Sequence, residues 1–316
     1  MGFADVDVRE ILAVFDLGPR GQLSAGPVAG GRLASIWRLD TDSASWAVKD
    51  FSEADEDELS EILGGAAFQE AALAAGVPTP GVRRTRTGDV IAHLGDVRLR
   101  VHEWVDLRPP DLSLDPASLG RLLAGLHRVE FAGTVGTHPW YEVPVGEPRW
   151  REIISSLRAG GAPFVGELDA LVPELVALEG YLGDPPRDLR TCHRDLWADN
   201  VRRTHDGDLC VFDFDNAGLA DPSQELALVL VEFGGADPRR ARAIRESYAD
   251  GGGPGRIDGP RTFAMAIAQL AHIVEEGCRR WLAAETEADR ADNEGWVREF
   301  IDRPLTREMV NRLVPG

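Results

Sequence analysis

Cys192-His193-Arg194-Asp195-Leu196-Trp197-Ala198-Asp199-Asn200, followed 13 residues after Asn200 by Asp213 within Val211-Phe212-Asp213-Phe214-Asp215, decides the reading of this chain. Each polar member fits a part in phosphoryl transfer. One carboxylate must accept or orient the proton of an attacking hydroxyl. A second carboxylate and an amide oxygen must hold Mg²⁺ against the phosphates of a nucleotide. Asp195 suits the first task, and Asn200 with Asp213 the second. Asp195 and Asn200 stand five apart on one loop. The apolar run Leu209–Phe212 reads as a strand that would deliver Asp213 beside that loop.

Outward from this core the chain divides in two. Residues 1–105 read as a strand-rich unit with one helix. Leu33–Leu39 and Ser45–Phe51 alternate around turn residues, as in a hairpin. Ala54 to Ala75 is rich in Ala, Leu and Glu and stops at Gly76-Val77-Pro78, a helix whose Gly64-Gly65 pair predicts a kink or a split. Strands are expected around Asp89–Leu94 and Arg98–Trp104. Prolines 109, 110 and 116 mark 106–116 as a linker. Residues 106–316 read as mostly helical, with a loop-and-strand island at 190–222 and a Gly/Pro loop at 251–260. No internal repeat or low-complexity tract interrupts this plan.

Composition narrows the class further. Apolar residues make up 43% and charged residues 28% of the 316, the balance of a globular chain and not of a disordered one. The length allows one large or two modest domains and a core that needs no disulfide or metal staple. Lys and Arg total 34 against 53 Asp and Glu, a net charge of −19, so a nucleic-acid partner is disfavoured. No window approaches 18 uncharged apolar residues, which argues against a membrane span. The N-terminal residues lack the basic and apolar regions of a signal peptide. Three single cysteines, Cys192, Cys210 and Cys278, suit a reducing cytosol, and a cytoplasmic location is expected. Of the basic residues only Lys49 is a lysine. The lone lysine is either chance or the mark of a place that needs a compact ammonium on a flexible stem.

The string His-Arg-Asp-Leu-x-x-x-Asn, followed by an apolar strand and Asp, resembles the catalytic core of the protein-kinase-like fold. Leu122-Leu123-Ala124-Gly125-Leu126-His127, Gly76-Val77-Pro78-Thr79-Pro80 and the run Gly218, Asp221-Pro222, Glu225-Leu226-Ala227 bring it closer to the aminoglycoside phosphotransferase and choline kinase family. The resemblance covers about residues 26–230. It implies an α+β, bilobal protein-kinase-like fold: a small β-rich N-lobe with one main helix, residues 1–105, and a larger, mostly helical C-lobe, residues 106–316. It further implies an ATP-dependent kinase with Mg²⁺ as cofactor, acting on a hydroxyl of a small molecule.

Roles follow position by position. Lys49, in Trp46-Ala47-Val48-Lys49, matches the strand lysine that pairs with nucleotide phosphates. Its partner would be a helix glutamate, Glu70 or Glu61; nine residues separate them, about 180° around a helix, and Glu70 is preferred. Gly30 and Gly31 match the nucleotide-covering loop, with Ser35 offering a hydroxyl to the phosphates. Val101–Val105 matches the hinge, where the backbone of Glu103 and Val105 would read adenine. Asp215 stands where many relatives carry a second acid that shares the metal. Departures are Arg194 in place of the common Gly, without an evident role, and Glu225 in place of Asp. His193 is expected to brace the loop.

The acceptor is the open part of the reading. Glu275, Glu276, Glu285, Glu287, Asp289, Asp292 and Glu294 make a cationic acceptor one option, and His138–Tyr141 with Trp150 are candidates for its pocket. The competing reading is a catalytically silent kinase-like nucleotide-binding module that acts through partners; the intact Lys49, Asp195, Asn200 and Asp213 argue against it.

Overall fold

The structure is a computed structural model that describes residues 3, 6–30, 35–183, 188–235 and 237–315. By compactness the chain falls into two units, one made of Met1–Leu112, Gly125–Val135 and Arg190–Leu219, the other of Ser113–Ala124, Gly136–Leu189 and Ala220–Gly316. This grouping follows packing and not chain order. The loop-and-strand island and the segment before residue 136 join the N-terminal sheet in one body, whereas a division at 105/106 would separate them.

In the first unit, a helix α1 (Val8–Phe15) precedes strands β1 (Gly21–Leu23), β2 (Ala29–Gly30), β3 (Ser35–Thr41) and β4 (Ser45–Asp50). Helix α2 (Glu56–Ala74) follows, then β5 (Val82–Arg83), β6 (Ala92–Leu94) and β7 (Val97–Glu103). The strands form an antiparallel sheet in the order β1-β3-β4-β7-β5, with β2 beside β3 and β6 beside β7. The expected hairpin is β3–β4. Helix α1 was not anticipated. Asp7 caps it through the Arg9 N–H, and Ile11, Leu12 and Phe15 pack with Leu39, Val48, Val97, Leu99 and Val101 on one face of the sheet.

Alternation along a strand sends the neighbours of these core residues to the other face. Val48 pairs with Val101 and Lys49 with Arg100, so the two valines face α1 while the two cations share the opposite face. Helix α2 opens with a capping box between Asp55 and Glu58 and runs unbroken through Gly64-Gly65. The helix is not split there. The glycines are needed for close approach: a Cβ on Gly65 would lie 2.1 Å from the carbonyl oxygen of Phe214, and one on Gly64 would lie 2.4 Å from Val135 Cγ2.

The island contributes β8 (Arg190–Cys192), β9 (Val201–Arg203), β10 (Leu209–Val211) and, after a 3-10 turn over Phe214–Asn216, β11 (Gly218–Ala220). Strands β9 and β10 pair with Val211 opposite Val201, and the Val211 N–H donates to Pro78 O at 2.9 Å, which ties the island to the segment after α2.

The second unit is helical in its described residues, from Pro116–His127 through Glu147–Gly160, Val165–Glu179, Pro222–Val229, Pro238–Asp250, Ala264–Ala283 and Glu287–Asp302 to Arg307–Leu313. Its core joins Trp150, Ile154, Leu157, Phe164, Leu168, Val274, Trp281 and Phe300. Glu179 accepts from the N–H groups of Val145 and Gly146 and from Trp150 Nε1. Burial pushes its carboxyl above the usual range against those three donors. Among the described residues, no helix is long and apolar enough to cross a membrane.

Candidate active site

Two left-handed residues shape the site, one in the loop between β8 and β9 and one after β10. Arg194 has φ 65° and Asp213, which precedes the 3-10 turn, has φ 62°. Such values are uncommon outside glycine and mark a backbone set by its surroundings. His193 is fully buried; its Nε2 lies 3.1 Å from Phe212 O and its ring meets Phe214 edge-on. His193 thus ties the loop to the turn, as expected. Arg194, unexplained by sequence, is buried against Gly218, and its Nε donates to Asn216 O at 2.5 Å. It fixes the turn that carries Asn216.

That turn matters because Asn216 Nδ2 donates to Asp195 Oδ2 at 3.1 Å. Asn200 Nδ2 donates to the same oxygen at 2.9 Å and to the Asp195 carbonyl at 2.9 Å. Two amides therefore hold one carboxylate oxygen. Burial and the neighbouring Asp213 push the Asp195 carboxyl up to about 7, against the amide donors and Lys49. Asn216 was missed by sequence reasoning. Its signal is weak: an amide three residues past Asp213, with no motif around it.

Lys49 Nζ lies 2.8 Å from Asp213 Oδ1 and 2.5 Å from Asp215 Oδ2. Burial would lower its pKa, but Asp213 and Asp215 outweigh that and hold the ammonium above its ordinary range. Asp215 reaches Arg100 through its other oxygen, Oδ1 to Arg100 Nη2 at 2.5 Å. Arg100 Nε donates to His102 Nε2 at 2.7 Å. Burial and the adjacent Arg100 push the His102 imidazole well below its usual value, so it stays neutral. Asp215 lies well below the usual carboxylate range, since Arg100 and Lys49 overcome the cost of its burial.

The expected helix partner of Lys49 is absent. Glu70 is bound through both oxygens by Arg84, at 2.8 and 2.5 Å. Glu61 forms no ion pair with a described residue. Helix phase places Glu70 on a face of α2 but does not decide which cation reaches it, and Arg84 does so from the start of the chain beyond β5.

Of the expected nucleotide-covering loop, Gly30 pairs with Ser35 across β2 and β3, and Ser35 is exposed; Gly31 lies outside the described residues. At the expected hinge, the Glu103 N–H donates to Gly81 O at 2.9 Å and its carboxylate accepts from the Gly81 N–H at 3.1 Å. Val105 follows the end of the sheet and makes no backbone hydrogen bond to a described residue.

In the second unit, Trp150 is wholly buried in the core and is not a pocket wall. Trp140 stacks on His272 at 5.1 Å. Three of the seven acids of the run are answered by arginine: Glu275 by Arg149, Glu276 by Arg279 and Arg280, Glu294 by Arg298. The three cysteines are buried and none forms a disulfide, and burial raises Cys210 to about 11 and Cys278 to about 12, which leaves both as packing residues.

The donor set is all oxygen: the Asp213 carboxylate, partly open to solvent, and the amide oxygen of Asn200, whose nitrogen is the end committed to Asp195. This suits a hard divalent cation. Both oxygens of Asp215 are instead engaged by Lys49 and Arg100.

An antiparallel sheet with one long helix, joined to an island that presents an acid, an amide and a second acid beside the only lysine, defines a protein-kinase-like α+β fold. The model of the phosphotransferase enzyme family, APH, matches residues 24–261, and the chain belongs to that family. Among solved structures it is similar to the spectinomycin phosphotransferase APH(9)-Ia in complex with ADP and spectinomycin, with 14% identity over 93% of this chain and 92% of that one and a TM-score of 0.63. It is similar also to an aminoglycoside phosphotransferase from Alicyclobacillus acidocaldarius, with 18% identity, 96% and 92% coverage and a TM-score of 0.58. A microcompartment-associated aminopropanol kinase shares 15% identity over 97% and 98% of the two chains, with a TM-score of 0.58. No curated protein matches the sequence.

Proposed function

We propose that this chain is an ATP-dependent phosphotransferase that moves the γ-phosphoryl group to a hydroxyl of a small molecule. The observation that carries this is the Asp195 carboxylate, held by Asn200 and Asn216 beside Asp213 and Lys49. Asp195 takes the proton as the acceptor oxygen bonds to phosphorus and the bond to the ADP oxygen breaks. An acid raised to about 7 is matched to a base that works near neutral pH. Asn200 and Asp213 are the residues that would hold Mg²⁺, which when bound supplies positive charge to the phosphates. Lys49 presents its ammonium to phosphate oxygens, and the backbone at Glu103 and Val105 is the proposed adenine-reading edge.

Similarity to kinases of spectinomycin and aminopropanol supports a hydroxylated small molecule as acceptor. The test is a nucleotide-consumption screen over hydroxylated metabolites and antibiotics, cationic ones included, read by ³¹P spectra. A phosphorylated product lost in Asp213→Ala, together with loss of Mg·ATP stabilisation on melting, is the expected result. Mg·ATP stabilisation that survives in Asp213→Ala would refute the metal assignment.

A further inference from the structure

We infer that Asp215, fixed by the buried Arg100, is the anchor of Lys49 in this chain, in the place a helix glutamate was expected to fill. The inference rests on the proposed function only for the word phosphate; the anchoring itself rests on geometry. Helix α2 supplies no acid. Glu70 is bound by Arg84 through both oxygens, and at Gly65 the helix backbone lies so close to Phe214 O that no side chain fits between them.

Lys49 and Arg100 are directly opposite in the register of β4 and β7. Like charges in such a pair repel. Here the side chains are 11% and 1% exposed, so water screens little of that repulsion. A buried cation without a counter-charge is costly. Asp215 resolves both problems with one carboxylate: Oδ2 takes Lys49 and Oδ1 takes Arg100, each at 2.5 Å. Arg100 in turn is fixed by donating to His102. With Asp213 the cluster holds two cations and two anions. Asp213 meets Lys49 through one oxygen and is the more exposed of the two acids, at 31% against 16%. Of Lys49's two contacts, the one to Asp213 is free to be exchanged, and the one to Asp215 stays. Asp215 is then a positioning residue and not a metal ligand, and Arg100 positions Lys49 through it.

The single lysine makes the test direct. Protein grown with lysine labelled at ¹³Cε gives one line, that of Lys49. Asp215→Asn is expected to move it. That variant leaves Arg100 buried without a counter-charge and can fail to fold, so Arg100→Met/Asp215→Asn, which removes one charge of each sign, accompanies it and should place the line in the same new position. Glu70→Gln and Glu61→Gln should leave the line where it is. The double variant should also weaken Mg·ADP binding tenfold or more, about 1.4 kcal/mol. A line unmoved in the double variant, or moved by either glutamate substitution, overturns the inference. Wild-type protein that binds no Mg·ADP would instead refute the phosphotransferase reading, while the line positions still decide the anchor.

Discussion

At the scale of single residues, Lys49 shows what the chain demands of one side chain. An exposed cation would tolerate Lys49→Arg within about 0.5 kcal/mol. Lys49 is buried between two carboxylates and opposite Arg100, and a planar guanidinium needs more room and a fork of acceptors. We expect Lys49→Arg to lower kcat/KM tenfold or more, about 1.4 kcal/mol of transition-state stabilisation, as measured by initial rates. Full activity in that variant would place Lys49 outside the site. Asp195→Asn should behave differently: turnover falls by about 10²- to 10⁴-fold, while calorimetric Mg·ATP affinity stays close to wild type, because the proposed base acts on the acceptor. Parallel loss of both would mean a structural role. Asp195, Asn200 and Asp213 were legible in sequence because their spacing is local to one loop and one strand. Arg100 was not, because its counter-ion lies 115 positions away and a strand arginine in alternation reads as a solvent-facing residue. Glu70 was misplaced for a related reason: periodicity gives its angle on α2, and Arg84 captures it from outside the helix.

Among the elements, α2 and the Phe214 turn form the informative pair. Sequence gave the helix nearly residue for residue but read Gly64-Gly65 as a weakness in it. The structure uses both as contact surfaces, which only the partner segments could reveal. A methyl on Gly65 meets a backbone oxygen that cannot step aside, whereas one on Gly64 meets a valine side chain that can. Overpacking of this kind costs about 1–3 kcal/mol, against up to about 1 kcal/mol gained from better helix propensity. Gly65→Ala should therefore melt below Gly64→Ala and lose more turnover, since it pushes on the turn that carries Asp215 and Asn216. Equal melting temperatures for the two variants would show that the helix moves freely over the turn. The hairpin β3–β4 and the strand β7 were equally legible, because half-buried strands alternate. Helix α1 was passed over although Val8, Ile11, Leu12 and Phe15 stand at helical spacing; eight residues are short for a helix in isolation, and packing on Leu39 and Val101 adds to the Asp7 cap.

For the whole molecule, acid is the revealing variable. His102 is held neutral, with a pKa well below the usual imidazole value, while in the unfolded chain it titrates near 6.5. The unfolded state therefore binds the extra proton first, and stability is lost as pH falls below about 6.5. The loss attributable to this group is about 1 kcal/mol for the first unit below that value. Between pH 7.5 and 5.5 the melting temperature of wild type should drop relative to that of His102→Gln; identical slopes would contradict a part-buried neutral imidazole.

The assembly of the first unit from three stretches of chain also sets an order of events during synthesis. Residues 49 and 215 are 166 positions apart, and 100 and 215 are 115 apart. While the ribosome is still making the segment before residue 190, the sheet already contains Lys49 and Arg100 but no acid to neutralise them. A buried cation left alone costs about 3–5 kcal/mol, a large share of a domain's stability. The nascent sheet should then stay open, or hold those two side chains in water, until Asp213 and Asp215 leave the exit tunnel. A polypeptide ended at residue 112 should accordingly fail to fold by itself, although it carries every strand of the large sheet.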